Sequence, residues 1–294
     1  MQLLDGKKLS ETIKAEIAQE IIGIKSNGGK TPHLAAVLIG DNPASEAYVR
    51  SKVRSCEQVG FKSTLIRREA SISEAELLGI VKDLNEDADI DGFIVQLPLP
   101  KHINEDNINL AIDPRKDVDG FHPINFGRMA QGLPSYLPAT PYGIVLMLER
   151  YGIETAGKNC VVVGRSNIVG TPISILMSRK GKDATVTLTH SRTKNLSGEI
   201  LRADIVIAAI GIANFIKADM VKEGAIVIDV GINRIEDTTA KNGYRLVGDV
   251  DFQAVAPKCS YITPVPGGVG LMTVTSLLLN TLKASKREIF GERN

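Results

Sequence analysis

The chain has 294 residues, 43% apolar and 23% charged, with a formal net charge of +1. That length suits two domains with cores of their own, and the near-zero charge leaves no long-range field that would mark a nucleic-acid or anionic-membrane partner. The N-terminal MQLLDGKKLS lacks an apolar signal core, no apolar run reaches membrane-spanning length, and Cys56, Cys160 and Cys259 form no CxxC pair, so a cytoplasmic α/β protein is expected.

In residues 9–26, Leu9, Ile13, Ile17, Ile21 and Ile24 recur at helical spacing, and Asn27-Gly28-Gly29 stops the run. HLAAVLIG (33–40) reads as a strand covered on both faces. Asp41-Asn42-Pro43 turns into a helix that Gly60 ends, and a strand follows near 61–68. Ser73 and Glu76 have the spacing of a capping box at the start of the next helix. GFIVQLPLP (92–100) reads as the third strand of a parallel sheet with right-handed crossovers.

On the second helix Tyr48 and Lys52 lie four positions apart and share a face, placing an aromatic ring one turn from an amine. Such pairs are also commonplace on helix surfaces. Gln96 is out of place near the end of an apolar strand, where it is either a solvated edge residue or an amide with a partner beside a ligand. Lys116-Asp117-Val118-Asp119-Gly120 is a turn whose carboxylates are either solvated or, in one case, placed to accept hydrogen bonds from a heterocycle.

Pro134, Pro138 and Pro141 mark a semi-rigid connection, after which a helix over 142–151 leads into a second strand–helix alternation. Its strands are expected at 160–164, 184–191, 204–211, 225–231 and 260–265, with a helix from Thr171-Pro172 and a last helix over 272–288. Gly164-Arg165-Ser166-Asn167-Ile168-Val169-Gly170 joins a buried strand to a helix start, where backbone N–H groups and the helix dipole favour phosphate. With two glycines six apart it is not the G-x-G-x-x-G fingerprint. The next strand ends in His190-Ser191-Arg192-Thr193 and offers no acid to a ribose. Ser191, Arg192 and Arg165 therefore favour a 2′-phosphate, and NADP over NAD, unless the arginines are ordinary surface charges. His33, His102, His122 and His190 lack metal-ligand spacing, so no metal is expected. The run 264–270, with Pro264, Gly267, Gly268 and Gly270, implies close backbone approach to a ligand or a helix.

The stretches NPASEAYVRSK, GFIVQLPLP, RKDVDGFHPIN, ATPYGI, VVGRSNIVGTP, DVGIN and ITPVPGGVG, in that order, resemble the bifunctional methylenetetrahydrofolate dehydrogenase/cyclohydrolase family along essentially the whole chain. The resemblance implies two α/β domains flanking a cleft: a folate-binding catalytic domain over 1–138, with the helix from 272–294 packing back on it, and a Rossmann-like NADP-binding domain over 139–271. It implies oxidation of 5,10-methylenetetrahydrofolate with NADP, then hydrolysis to 10-formyltetrahydrofolate, by a homodimer. Lys52 resembles the catalytic lysine, Tyr48 the residue stacked on the folate, Gln96 the partner tuning the lysine, and Asp119 the carboxylate gripping the pterin. Ser45 belongs to the same motif. Pro264, Gly267 and Gly268 resemble substrate contacts, and Gly164, Arg165, Ser166, Ser191, Arg192, Gly231 and Ile232 cofactor contacts. Leu271 stands where the family usually has proline, and Ala139 where cysteine is common. The alternatives are a monofunctional dehydrogenase of the same fold, a Rossmann dehydrogenase of another substrate, and a nucleotide-binding protein without turnover.

Overall fold

β1 (Gln2–Leu3) opens the chain and α1 (Gly6–Ser26) follows, with Leu9, Ile13, Ile17 and Ile21 buried on the stripe that their spacing marks. The computed structural model describes residues 1–240 and 243–290. The chain divides into two units, one made of residues 1–10 and 140–273, the other of residues 11–139 and the chain from Val274 on. Both are α/β, and among the described residues no helix is long and apolar enough to cross a membrane.

In the second of these units, β2 (His33–Ile39), α2 (Pro43–Val59), β3 (Lys62–Arg68), α3 (Glu74–Glu86) and β4 (Gly92–Val95) alternate, and the strands form a parallel sheet in the order β3-β2-β4. Every residue of the central strand is buried, so its sequence is apolar nearly throughout. The start of α2 is fixed by Asn42, whose Oδ1 accepts from the N–H groups of Ala44 and Ser45 at 2.9 and 3.2 Å, with Pro43 in the first turn. Gly60, at φ 80°, ends it in the left-handed conformation. The capping box of Ser73 and Glu76 closes in both directions.

The strand expected over 92–100 is shorter. Gln96 N still donates to Val37 O at 2.9 Å, but Pro98 and Pro100 have no N–H to continue the ladder, and β4 stops at Val95. Two short helices, α4 (Glu105–Ala111) and α5 (Pro123–Ala130), have no counterpart in the sequence reading. Between them residues 116–118 run along the outer edge of β4, where Phe93 N donates to Lys116 O at 3.0 Å and Phe93 bridges to Asp117 in parallel. Gly92 admits this segment, since a Cβ there would lie 2.2 Å from a methyl of Val118.

The other unit takes α6 (Ala139–Arg150) from Thr140 on, then β5 (Asn159–Val163), α7 (Gly170–Ser178), β6 (Thr185–Thr189), α8 (Leu196–Leu201), β7 (Ile205–Ala208) and β8 (Ile226–Asp229). The antiparallel hairpin β9 (Asn233–Glu236) and β10 (Tyr244–Val247), α9 (Phe252–Val255), β11 (Tyr261–Ile262) and α10 (Val269–Ser285) complete the series. Six parallel strands run in the order β1-β11-β8-β7-β5-β6. The chain steps from β5 outward to β6, then back across to β7, so the order reverses at β5. The carboxyl ends of β5 and β7 are thus the topological switch point where open α/β sheets bind ligands. Residues 1–10, expected with the N-terminal lobe, cluster with this unit because β1 pairs with β11 and Leu4 is fully buried. The C-terminal helix, expected from 272, begins at Val269 and changes unit at Val274; residues 291–294 of that expected segment lie outside the described residues.

Candidate active site

The candidate residues fall into two groups, one in each unit. The first group is built on α2. Ser45, Val49, Lys52, Cys56 and Val59 form its buried stripe, so Lys52 occupies a position that helical geometry assigns to the core. Only 6% of Lys52 is exposed, and its Nζ donates to Gln96 Oε1 at 3.1 Å. The amide of Gln96 is oriented from its other end, where Nε2 donates to Leu97 O at 2.7 Å. Its oxygen is therefore the atom turned to the lysine, and of the two readings of Gln96 the partnered one holds. Ser45 Oγ donates to the same carbonyl at 3.4 Å. Tyr48, one turn from Lys52, is half-buried.

Burial lowers the Lys52 pKa, while the neighbouring Asp119 carboxylate and Cys56 pull it back up. Burial also raises the Tyr48 phenol and pushes the Cys56 thiol up to about 12, so both stay neutral near pH 7. The result is an amine with a weakened hold on its proton beside a carboxylate that tunes it. Asp119 is half-buried, and its carboxylate accepts no hydrogen bond among the described residues, which leaves its oxygens for a ligand.

Asp117 and Lys116, by contrast, are structural. Asp117 is 2% exposed, and its carboxylate accepts from the N–H groups of Gly120, Phe121 and His122 and from Asn125 Nδ2 at 2.8–3.2 Å, shaping the turn that carries Asp119. Burial pushes its pKa up to about 7, against the hydrogen bonds from Asn125, His122 and Phe121 that pull it down. The Lys116 ammonium donates to the carbonyls of Leu84 and Asp87 at 2.7 and 2.6 Å. Nothing in the local sequence signals the burial of these two charges.

The second group lies at the carboxyl edge of the six-stranded sheet. Gly164, at φ 111°, directly follows β5, and a Cβ on it would lie 2.2 Å from Ala209 O. Gly170 is equally constrained, its Cβ position being 1.9 Å from Gly164 O. These glycines fold the loop upon itself, so their first role is internal. Ser166 does the same: its Oγ accepts from the N–H groups of Val169 and Gly170 at 3.2 and 3.4 Å, capping α7 from within. The loop amides are thus less free than the sequence suggested, and the Ser166 hydroxyl proton remains to be donated.

Val163 pairs with Thr189, so the loop bearing Arg165 starts beside the turn bearing Ser191 and Arg192. All three side chains are exposed, and neither guanidinium has an ion pair or hydrogen bond among the described residues. Two unpaired cations near the end of β6 fit the 2′-phosphate of NADP. The His190 ring is occupied by the turn, its Nδ1 accepting from Arg192 N at 3.2 Å. Ile232 is exposed; Gly231 is buried, with its Cβ position 2.2 Å from Asp249 Oδ1. In the last loop the close approach is to a helix: Gly268 O would lie 2.1 Å from a Cβ on Gly6, and Lys7 N donates to Gly267 O at 3.0 Å. Gly268 is buried, whereas Pro264 and Gly267 are half-exposed.

Comparison with known proteins shows the family. The family model described as "Tetrahydrofolate dehydrogenase/cyclohydrolase, catalytic domain" matches residues 4–119, and "Tetrahydrofolate dehydrogenase/cyclohydrolase, NAD(P)-binding domain" matches residues 138–289. A relative from Phocaeicola vulgatus named "Bifunctional protein FolD" is 63% identical over 292 residues, covering 99% of this chain and all of the relative. The structure of the bifunctional FolD enzyme from Campylobacter jejuni superposes with a TM-score of 0.92 at 48% identity, covering 98% of this chain and 99% of the other. The Trypanosoma brucei dehydrogenase-cyclohydrolase, solved with NADP cofactor and an inhibitor, gives 0.92 at 35% identity with 97% of both chains covered. This chain belongs to the tetrahydrofolate dehydrogenase/cyclohydrolase family.

Proposed function

We propose that the protein oxidises 5,10-methylenetetrahydrofolate to 5,10-methenyltetrahydrofolate with NADP and then hydrolyses that product to 10-formyltetrahydrofolate. The observation that carries the hydrolytic half is the buried Lys52 held by Gln96, with its pKa lowered. The methenyl product is a cation, beside which a permanently charged ammonium would be repulsive. A neutral Lys52 instead accepts a proton from the water that adds to the methenyl carbon. It then returns that proton to the ring nitrogen as the carbon–nitrogen bond breaks, and takes up the hydroxyl proton as the formyl C=O forms, releasing it to solvent, so that one proton is released overall. Gln96 holds the amine in line, Asp119 grips the pterin through ring N–H and amino groups, and Tyr48 covers the flat face, with Ser45 packed beneath.

NADP, when bound, supplies the hydride acceptor. The oxidation asks of the protein positioning and no proton transfer. Arg165, Arg192 and Ser191 hold the 2′-phosphate, the Ser166 hydroxyl donates to the dinucleotide, and Gly164, Gly231 and Ile232 shape its bed. Pro264 and Gly267 contact substrate, and the buried Gly268 shapes their loop. Three free, buried cysteines support a reducing, cytoplasmic setting, and a homodimer is the proposed assembly.

The test supplies purified protein with 5,10-methylenetetrahydrofolate and NADP or NAD, and measures reduced cofactor and 10-formyltetrahydrofolate. Reduction favouring NADP, with formyl product formed faster than by uncatalysed hydrolysis, is expected. Reduction with methenyl accumulating would leave a monofunctional dehydrogenase; no reduction would leave a binding protein.

A further inference from the structure

Two buried aspartates that take no part in the proposed chemistry organise the loops after β7 and β8. Asp249 is 0% exposed; its Oδ2 accepts from the N–H groups of Ile210 and Gly211 at 2.7 and 3.0 Å, and its Oδ1 from Asn233 Nδ2 at 3.0 Å. Asp229, the last residue of β8, holds Asp249 in turn. Its Oδ1 accepts from Gly231 N and Asp249 N at 3.0 and 2.8 Å, and its Oδ2 from Val250 N at 2.9 Å. Among the described residues neither carboxylate has an ion pair; both rest on neutral N–H donors. A buried anion is costly unless every donor is in place. The glycines in these loops answer to the carboxylates: a Cβ at Gly248 would lie 1.8 Å from Asp229 Oδ2, and one at Gly231 2.2 Å from Asp249 Oδ1.

We infer that Asp249 is a positioning residue for the dinucleotide, setting the shape of the Ile210–Gly211 and Gly231–Asn233 turns on which the cofactor rests. This inference rests on the NADP reading above. Both turns lie at the carboxyl edge of the sheet, beside the switch point; an exposed isoleucine, Ile212 at 53%, follows the first, and another, Ile232 at 44%, lies in the second. Such apolar surfaces suit the flat faces of a nucleotide. Asp249 itself reaches no ligand, because it is enclosed and both its oxygens are occupied. It acts through the two turns it ties together.

The test compares Asp249→Ala, Asp249→Asn and Asn233→Ala with the wild type. The NADP dissociation constant is measured by calorimetric titration, dehydrogenase kcat and KM by cofactor reduction, and cyclohydrolase with the methenyl substrate in the absence of NADP. Asp249→Ala is expected to weaken NADP about ten-fold or more, the scale of a lost charged hydrogen bond, while kcat changes less. Cyclohydrolase should stay within about two-fold, since its residues lie in the other unit and share no partner with Asp249. Asp249→Asn should restore most of the affinity, because its amide oxygen can keep the Ile210 and Gly211 amides while its nitrogen faces a turned-over Asn233. Asn233→Ala should weaken NADP about three-fold, and it decides the matter if Asp249→Ala does not fold. Wild-type NADP affinity in a folded Asp249→Ala or in Asn233→Ala would overturn the inference. So would equal loss of both activities in Asp249→Ala without rescue by Asp249→Asn. Failure of the NADP reading itself would show earlier, as wild-type protein that does not bind NADP.

Discussion

At the scale of single residues, the site depends on burying ionisable groups against selected neighbours. Lys52 sits where α2 would ordinarily place an aliphatic side chain, and its amine is met by one amide oxygen and by the field of Asp119. Burial lowers the pKa and Asp119 raises it, so removing the carboxylate should lower it further. Cyclohydrolase kcat should rise with pH as Lys52 loses its proton, and in Asp119→Asn this rise should be displaced to lower pH. Saturating substrate separates the displacement from weakened pterin binding, and a pH profile of kcat checks it. An unmoved or upward-moved limb would mean that Asp119 does not set the charge of Lys52. The three buried acids among the described residues, Asp117, Asp229 and Asp249, are oriented by backbone N–H groups. Each fixes a loop that carries candidate site residues.

At the scale of elements, the position of Lys52 depends on where α2 starts. Asn42 satisfies two first-turn amides, so Asn42→Ala should cost about 1 kcal/mol of stability by chemical denaturation. It should also lower cyclohydrolase turnover more than NADP affinity, because the frayed turn carries Ser45 and Tyr48. Much of this helix was legible in the sequence, since Asn42, Pro43 and Gly60 act through local geometry. The same holds for the capping box at Ser73 and for β2, whose apolar run needs no long-range information. What escaped was decided at a distance. The two-residue strand β1 has no period to detect and exists because it pairs with β11, remote in sequence. The short helices α4 and α5 and the hairpin β9–β10 fall below the length at which periodicity speaks. Lys52, Tyr48, Gln96 and Asp119 were nameable from spacing and family resemblance, but the burial of Asp117, Asp229 and Asp249 was not. A loop aspartate reads as solvated until the fold supplies its donors.

At the scale of the whole molecule, the chain passes between its two units within α1, at the start of α6 and within α10. The first ten residues are therefore integral to the nucleotide-binding unit and are no dispensable terminus. Leu4→Ala removes a fully buried side chain from that unit and should cost about 2–5 kcal/mol, read from denaturant unfolding. A cost below about 1 kcal/mol, the level of a loose terminus, would contradict the role given to β1.

The division of labour also permits a decisive measurement. Hydride transfer asks only for positioning, whereas ring opening asks for a base, so the two halves of the reaction should separate at Lys52. Lys52→Met, supplied with 5,10-methylenetetrahydrofolate and NADP, should still reduce the cofactor. Its enzymatic formation of 10-formyltetrahydrofolate should fall by about 10²–10⁴-fold, with methenyltetrahydrofolate accumulating. Formyl product at the wild-type rate would contradict the assignment of Lys52 as the base.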